Sequence, residues 1–367
     1  MNEGFRRTGG NVKIGVSGSQ GPFRPDGDGT TMKRRRFLKR ISSAGLVLAL
    51  GAGSARRKAF GESAAISTGG KSRIIVARRP GKLLVDGKPN PPEISDLLGR
   101  GICALLDEKD CGAAWKKLFS PEDVVGVKIN TLGGKGIANR PETVRAVCEA
   151  LQAAGVPPQQ IIVWDRLSQE MQRAGFEIVT EGDRPRCYGS DALGDRAYRR
   201  QTESSGSIGS CFSNILSKQC TALINMGVLK DHDLSGISIA MKNLFGVIHN
   251  PNRYHFDVHK DPYLPDLAMH PPLRQKLRLN VIDALTAQYH NGPAYKAEYT
   301  WPFEGILLGL DLVAVDRVGW DVIEARRKEA GLPSLKESGR APEYLQIAEE
   351  KGLGFADSAK IETIEVT

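Results

Sequence analysis

The chain has 367 residues, 40% of them hydrophobic and 25% charged, which is ordinary globular composition and enough for one large domain or two smaller ones. Its formal net charge of +9 does not indicate a nucleic-acid-binding protein. Residues 1–62 hold 13 basic and 4 acidic side chains, and the remaining residues carry equal numbers of each. The excess charge therefore belongs to the N-terminal segment, and we expect no nucleic-acid partner.

The N-terminal segment has the pattern of an export signal. Residues 1–31 are rich in Gly, Ser and Pro, which is typical of a disordered extension, and Met32 is a candidate for the true start. The run "RRRFLK" at 34–39 matches the twin-arginine pattern, and a short apolar stretch with small residues follows it. We expect residues 32–62 to be a twin-arginine signal peptide, which predicts the twin-arginine export machinery as a partner and a periplasmic or otherwise exported location. The alternative is an uncleaved anchor or a basic tail.

The apolar stretch of that signal, about 13 residues, is shorter than the roughly 20 that span a bilayer, so we expect no stable membrane span. Beyond it, residues 70–367 alternate between apolar runs and amphipathic segments, as in a single α/β domain. Strands are predicted at Arg73–Ala77, Asp123–Asn130, Ile161–Asp165, Phe176–Thr180, Thr221–Leu229, Leu277–Leu285, Glu304–Leu310 and Ala359–Val366. Helices are predicted at Pro141–Gly155, Gly236–Ile248 and Leu310–Gly331.

The predicted fold class is α/β, with a largely parallel mixed sheet flanked by helices. Between the predicted elements lies "HNPNRYHFDVHKDPYLPDLAMHPP", residues 249–272, which has several prolines and no helical period of apolar residues. We expect it to be a long irregular, His-rich insertion, and long loops inside compact domains are usually functional. All six histidines of the chain lie between residues 232 and 290.

The six cysteines have no C-x-x-C spacing. This excludes the usual iron–sulfur and zinc-ribbon motifs. An even number of cysteines in an exported protein permits disulfides without requiring them.

Several stretches together carry a family resemblance: "VGVKIN…NRPETVRAVCEAL", "IIVWDR", "INMGVLKDHDLSGISIAMKNLFGVI", "NVIDAL…NGP" and "GLDLVAVDRVGWDVI". The chain resembles the domain of unknown function 362 family from about Val124 to Ile323. The most specific piece runs from Lys230 to Gly246 and holds the elements K-x-H and M-K-N-L-F-G. The resemblance implies an α/β domain and supplies no reaction. Some relatives also carry a ferredoxin-type cysteine-rich segment, which this chain lacks.

Polar residues follow several predicted strands, and ligands of open α/β sheets bind beyond the carboxyl ends of the strands. The Gly-rich loop Asn130–Glu142 also joins a strand to a helix, where backbone N–H groups can hold an anion. A flexible loop is the alternative interpretation. We expect a small anionic substrate, bound by Lys128, Asn130, Lys135, Arg140, Asp165 and Arg253.

A metal site is a second expectation. In an extended segment, "HFDVH" places His255, Asp257 and His259 on one face, and the turn "NPN" can bring His249 back to them. Imidazoles and a carboxylate are suitable ligands for Zn, Fe or Mn. Surface or capping histidines, and histidines that act as acid–base groups, are the alternatives.

His232 lies between two aspartates and best fits an acid–base role. We expect a catalytic group of His232, Lys230, Lys242 and Asn243, in which the lysines position negative charge and His232 moves a proton. The sequence thus predicts an exported enzyme acting on a small anionic molecule, with metal assistance or redox chemistry left open. The alternative is a periplasmic accessory protein that binds a ligand or a metal without catalysis.

Overall fold

The computed structural model of the protein describes residues 70–367. The predicted extension, the twin-arginine motif and the predicted signal peptide lie outside these residues. Residues 70–367 belong to one compact unit. None of the helices in this range is both long and apolar enough to cross a membrane.

The strands of the described range are mostly short, and two long ones pass through its centre. In chain order they are β1 (Ser72–Arg78), β2 (Leu84–Val85), β3 (Lys88–Pro89), β4 (Val125–Lys128), β5 (Ile161–Asp165), β6 (Arg186–Gly189), β7 (Glu203–Ser205), β8 (Ile208–Ser210), β9 (Ala222–His232), β10 (Gly236–Ser238), β11 (Leu277–Gln288), β12 (Thr300–Trp301), β13 (Gly305–Gly309) and β14 (Ile361–Val366).

A ten-stranded mixed sheet forms the centre of the fold, in the order β14-β1-β13-β11-β9-β4-β5-β6, with β10 added to β9 and β12 to β11. Along this path only the two pairs made by β13 are antiparallel. The sheet is therefore mostly parallel, as the strand–helix alternation predicted. The carboxyl ends of β4, β5 and β9 meet at one edge, where the polar residues of the site lie.

Helices cover both faces of the sheet. They are α1 (Pro91–Leu106), α2 (Cys111–Leu118), α3 (Pro141–Ala153), α4 (Ser168–Arg173), α5 (Ala240–Asn243), α6 (Tyr263–Ala268), α7 (Pro271–Lys276), α8 (Leu312–Glu329) and α9 (Tyr344–Glu350). Because side chains alternate along a strand, Ile74 packs into the apolar cluster that holds α8, and Ile75 packs into the cluster that holds α1 and α3.

Two predicted elements differ from the structure. Residues Phe176–Thr180 form no strand, because only Val179 pairs with a neighbour, through an isolated bridge to Cys187. The predicted helix over Gly236–Ile248 starts instead as strand β10, continues as the single turn α5 and ends as a 3₁₀ turn, Leu244–Val247. Its β-branched residues Ile237 and Ile239 favour the extended start.

The segment expected to be a long irregular insertion is more ordered than predicted. It contains a 3₁₀ turn at Pro251–Tyr254, the helix α6 and the first residues of α7. Its prolines start these short helices, since proline suits the first helical turn. All six cysteines lie in the described range, and each is a free thiol.

Candidate functional site

A pocket of about 290 Å³ opens at the carboxyl ends of β4, β5 and β9. Strand ends form one side of it, with Lys128, Asn130 and Asp165. The turn α5 and the residues that follow it form the other side, with Lys242, Asn243, Phe245 and His255. The pocket thus lies where the strand-end rule for α/β sheets predicts a ligand site.

A buried ion pair stands on the strand side. The Nζ atom of Lys128 lies 2.8 Å from Oδ1 of Asp165 and also donates to the backbone oxygen of Ile129 at 2.6 Å. The other carboxylate oxygen of Asp165 accepts from the backbone N–H and the hydroxyl of Thr131, at 2.9 and 2.7 Å. Burial alone would raise the pKa of Asp165, but the charge of Lys128 and these hydrogen bonds hold it below its usual value.

Gly246 lets the backbone pass close to this ion pair. A Cβ atom at Gly246 would lie 2.6 Å from Nζ and from Cε of Lys128, and 3.0 Å from Oδ1 of Asp165. The absence of a side chain at this position therefore allows the 3₁₀ turn after α5 to close against the strand ends.

Buried amides connect the two sides of the pocket. Nδ2 of Asn243 donates to Oδ1 of Asn225 at 2.8 Å and to the backbone oxygen of Met226 at 3.0 Å, while its Oδ1 accepts from Lys128 at 3.1 Å. Asn225 in turn donates to Oδ1 of Asn280 at 3.1 Å. These bonds fix the orientation of each amide, so the floor of the pocket is a connected polar network.

Lys230 lies behind the pocket wall and does not line it. Its fully buried Nζ donates to Oδ1 of Asn130 and to the backbone oxygens of Leu132 and Ile137, at 3.0, 2.6 and 3.2 Å. Burial lowers the pKa of Lys230 to about 7, and the negative charge of Asp165 opposes that shift. Three acceptors match the three N–H bonds of an ammonium, so Lys230 anchors the loop after β4.

Lys242 has a different environment. Its Nζ lies 2.9 Å from Nε2 of His255 and 4.3 Å from the ring centre of Phe245, and the residue is 7% exposed. Nδ1 of His255 lies 3.0 Å from the backbone oxygen of Pro251, to which it donates, so Nε2 is left as an acceptor for Lys242. Burial, followed by the charge of Lys230, lowers the pKa of Lys242 to about 7.

Two neutral imidazoles stand beside that amine. Burial is the main cause that lowers the pKa of both His232 and His255 to about 4, and the charge of Lys242 adds to the shift in each. Their ring centres are 6.0 Å apart. Nδ1 of His232 accepts from the backbone N–H groups of Leu234 and Ser235, at 3.1 and 3.4 Å, and Oδ1 of Asp233 lies 3.0 Å from the same nitrogen.

The mouth of the pocket has one free cation and one perturbed acid. The side chain of Arg166 lines the pocket and has no hydrogen-bond or ion-pair partner among residues 70–367. Glu170 also lines it, and burial, followed by the charge of Asp165, raises the pKa of its carboxyl. A guanidinium without a carboxylate partner is suited to bind an anion.

Asp316 of α8 holds the start of α5 in place. Its two carboxylate oxygens accept from the backbone N–H groups of Ala240 and Met241, at 2.6 and 3.1 Å, at the start of α5. Burial raises its pKa to about 7, and these two hydrogen bonds oppose the shift. Asp316 therefore positions Lys242 and Asn243 without touching the pocket.

The amino-acid sequence around the pocket identifies the protein family. Residues 125–321 match the family described as Domain of unknown function (DUF362). The chain belongs to the DUF362 family. The matched range starts at β4 and ends within α8, so it includes both sides of the pocket and Asp316.

Other comparisons give a distant likeness. A crystal structure of a protein from Thermotoga maritima, a structural genomics target, is 11% identical with a TM-score of 0.36. The likeness covers 65% of this chain and 59% of that chain, which is less than two thirds of its length. No curated protein matches the chain.

The structure brings seven of the fourteen predicted site residues of this DUF362 protein to the pocket. Of the predicted catalytic group, His232, Lys242 and Asn243 line the pocket, and Lys230 lies behind it. Three of the predicted substrate-binding residues, Lys128, Asn130 and Asp165, also line it.

The remaining three predicted substrate-binding residues do not line the pocket. Lys135 and Arg253 are exposed. The guanidinium of Arg140 donates to the backbone oxygen of Lys135 at 2.7 Å and to the hydroxyl of Thr286 at 3.1 Å. The Gly-rich loop is thus fastened to β11 through Arg140, and neither Lys135 nor Arg140 lines the pocket.

Three of the four residues of the predicted metal set have separate side-chain partners. His249 packs against the ring of Tyr198, Asp257 pairs with Lys260 at 3.2 Å, and both nitrogens of His255 are engaged by Lys242 and Pro251. Among residues 70–367 no group of three or more His, Cys, Asp or Glu side chains, with or without His259, is arranged to hold a metal ion. Metal binding by this segment stays a prediction.

Sequence reasoning missed part of the site. Arg166 directly follows the predicted strand Ile161–Asp165, so the strand-end rule offered a signal for it. Phe245, Gly246 and Asp316 lie in stretches that carry the family resemblance, but the resemblance assigns them no role. Glu170 gave no signal, because no local pattern indicates that it lines the pocket.

Proposed function

We propose that this DUF362 protein is an enzyme that binds a small anionic molecule in the pocket and transfers a proton to or from it. The observation that carries the proposal is the contact between Lys242 and His255, 2.9 Å apart in a pocket of about 290 Å³. A lysine with a pKa of about 7 exchanges protons readily near neutral pH, which suits a general acid or base.

The charges around the pocket support an anionic ligand. Lys128 and Asp165 neutralise each other, which leaves Arg166 as the free cation at the mouth. Burial, followed by the charge of Asp165, raises the pKa of Glu170, and a carboxyl with a raised pKa opposes a bound anion less than an ordinary one does. Small carboxylates and phosphates are therefore the ligands to test first.

The first experiment separates binding from catalysis. Thermal shift measurements with a panel of small carboxylates and phosphates identify ligands, and NMR in D₂O then follows the incorporation of deuterium into each one. We expect Arg166→Gln to lose the thermal shift, while Lys242→Met and His232→Gln keep it and slow deuterium incorporation by about 10²-fold or more. Arg253→Gln is the matched control, since Arg253 is exposed outside the pocket.

A panel without any stabilising compound would contradict the proposal. Binding in the wild-type protein without any deuterium incorporation would favour the alternative, a binding accessory protein. A Lys242→Met variant that exchanges deuterium at the wild-type rate would remove Lys242 from the mechanism.

We also infer that the protein is exported through the twin-arginine route, from the run at residues 34–39. Replacing Arg34 and Arg35 together with Lys should keep the protein in the cytoplasm of an expression host. Cell fractionation measures the result, and Arg56→Lys with Arg57→Lys is a matched control outside the motif. Equal export of both variants would refute the inference.

A further inference from the structure

Two lysines line the pocket, and their partners differ. Lys128 is paired with the carboxylate of Asp165 at 2.8 Å, which stabilises its ammonium form. No ion pair joins Lys242 to a carboxylate in the part of the chain that the structure describes. Its polar partner is the acceptor nitrogen of His255, which can bind a neutral amine as well as an ammonium. The pocket therefore presents one fixed cation and one lysine that is free to react.

The surroundings of Lys242 favour the free amine. Its side chain is nearly buried, Phe245 packs at 4.3 Å, and Lys230 contributes a positive charge from behind the wall. Desolvation and a neighbouring cation are the two arrangements by which proteins turn a lysine into a nucleophile. The charged groups that act on Lys242 are Lys230 and Asp233, and of the two only Asp233 favours the ammonium.

A neutral lysine amine adds to aldehydes and ketones, and Arg166 offers a place for a carboxylate at the mouth of the same pocket. The geometry points to Schiff-base formation between Nζ of Lys242 and the carbonyl carbon of a small oxo acid whose carboxylate is bound by Arg166. This inference rests on the anion-binding pocket of the proposed function and names its substrate class.

The chemistry balances within the groups at the site. The lone pair of Nζ attacks the carbonyl carbon, and the electron pair of the C=O bond moves to oxygen. His255 accepts a proton from Nζ and delivers it to that oxygen, which gives a carbinolamine. The nitrogen lone pair then forms C=N, while the oxygen takes up the second amine proton and leaves as water. The products are one imine and one water molecule, and nothing is oxidised or reduced.

His255 is placed for this proton relay. Its Nε2 faces Nζ of Lys242 at 2.9 Å, and its other nitrogen is held by the backbone oxygen of Pro251. The positive charge of Lys242 is one of the causes that lower the pKa of His255. The neutral amine that attacks the carbonyl carbon exerts no such repulsion, so His255 accepts a proton more readily once Lys242 has lost its own.

The test is reductive trapping with glyoxylate and pyruvate, which are small oxo acids, and with acetaldehyde, which has no carboxylate. The full chain is incubated with each probe and sodium borohydride at pH 7, digested with trypsin and analysed by mass spectrometry. A modified Lys242 resists trypsin, so the label appears on one peptide that spans residues 231–253. At this pH the free-amine fraction of a lysine with a pKa of about 7 exceeds that of an ordinary lysine by on the order of a thousandfold.

We expect glyoxylate or pyruvate to label Lys242 far above other lysines, and Lys242→Arg to lose the label. Arg166→Gln should reduce labelling by the oxo acids at least tenfold and leave labelling by acetaldehyde unchanged, which shows that the pocket still folds. Lys336→Arg, an exposed position outside the pocket, is the control and should label like the wild type.

Oxo acids that stabilise the protein through Arg166 but leave Lys242 unlabelled would overturn the Schiff-base inference and leave the proposed function standing. Labelling of Lys242 in a protein that incorporates no deuterium into any ligand would support the inference and contradict the proton-transfer function. Labelling spread evenly over surface lysines would overturn the inference.

Discussion

The two sides of the pocket differ in how completely their polar groups are paired. On the strand side, Lys128 and Asp165 form a buried ion pair at 2.8 Å, and Asn243 joins them to the amide network. On the side of α5, Lys242 contacts a neutral imidazole and Phe245 and has no ion-pair partner among residues 70–367. Arg166, directly after β5, is the exception on the strand side, since its side chain has no partner in the same range.

This difference separates the groups that stabilise the fold from the groups that can react. A buried charge with a full set of partners has little to gain from a ligand, whereas an unpaired one gains a partner when the ligand binds. Residue type alone does not make the distinction, because both sides use lysine.

The largest effect should come from breaking the ion pair. Asp165→Asn leaves Lys128 buried without a counter-charge, and we expect the free energy of unfolding to fall by about 3–5 kcal/mol. Urea titration followed by tryptophan fluorescence measures it, since Trp164 lies in the same strand. Lys242→Met is the matched variant from the other side and should change stability by less than about 1 kcal/mol at high pH, where the amine is neutral anyway. If both variants lost the same free energy of unfolding, the two sides of the pocket would not differ in their contribution to stability.

The pH dependence of stability sharpens the same comparison. The pKa of Lys242 is lowered to about 7 in the folded protein, and an unfolded lysine titrates near ~10.4. Between these values the unfolded chain binds a proton that the folded chain does not, so raising the pH stabilises the folded state.

We therefore expect the wild type to gain up to about 4 kcal/mol relative to Lys242→Met between pH 7 and pH 10, from urea titrations at each pH. Groups far from Lys242 behave alike in both proteins and cancel in the difference, whereas Lys230, whose charge acts on Lys242, contributes to it. If the free energies of unfolding of the wild type and of Lys242→Met changed with pH in the same way, Lys242 would have an ordinary pKa. The proposed reactivity of its amine would then lose its basis.

A smaller effect is expected at the support beneath α5. Asp316→Ala leaves the buried backbone N–H groups of Ala240 and Met241 without acceptors, which should cost about 3 kcal/mol. Asp316→Asn keeps one side-chain oxygen and should lose less. Reductive labelling of Lys242 in both variants would reveal whether the support also positions the amine, and full labelling in a destabilised Asp316→Ala would argue against that.

The smallest effect concerns the close approach at Gly246. Gly246→Ala places a methyl group 2.6 Å from Nζ of Lys128 and should lower the free energy of unfolding by about 2 kcal/mol through overpacking. Gly209→Ala is the control, since a Cβ atom at that position would meet only one atom, at 3.9 Å. Gly331→Ala would not serve as a control, because the positive φ of Gly331 strains any side chain. Chemical denaturation of both variants measures the free energy of unfolding. Similar losses in the two variants would mean that the side chain of Lys128 can move aside without cost.

The parts of this site that the sequence predicts are those set by strand ends. Lys128 and Asp165 end neighbouring parallel strands, so the rule for α/β sheets places them together without further information. The same rule does not predict that Lys230 lies behind the pocket wall. Its position depends on the length of β9, which continues to His232, and on the face of the strand from which each side chain projects.

Other parts depend on distant segments. α3 begins at Pro141 as predicted, but the guanidinium of Arg140 just before it donates to Thr286 of β11, a contact between residues far apart in sequence. The partner of Lys242 is His255, which the spacing "HFDVH" suggested as a metal ligand instead. A spacing pattern records which residues share a face of a segment and says nothing about what that segment packs against.

The position of β1 has a consequence for the order of synthesis. β1 lies between β13 and β14 in the sheet, so the strand made earliest in the described range pairs only with the last two strands of the chain. Until Ile361–Val366 has left the ribosome, one edge of β1 stays unpaired and open to other chains. We expect a protein truncated before β14 to aggregate in the cell, although the complete pocket lies upstream of the deleted strand.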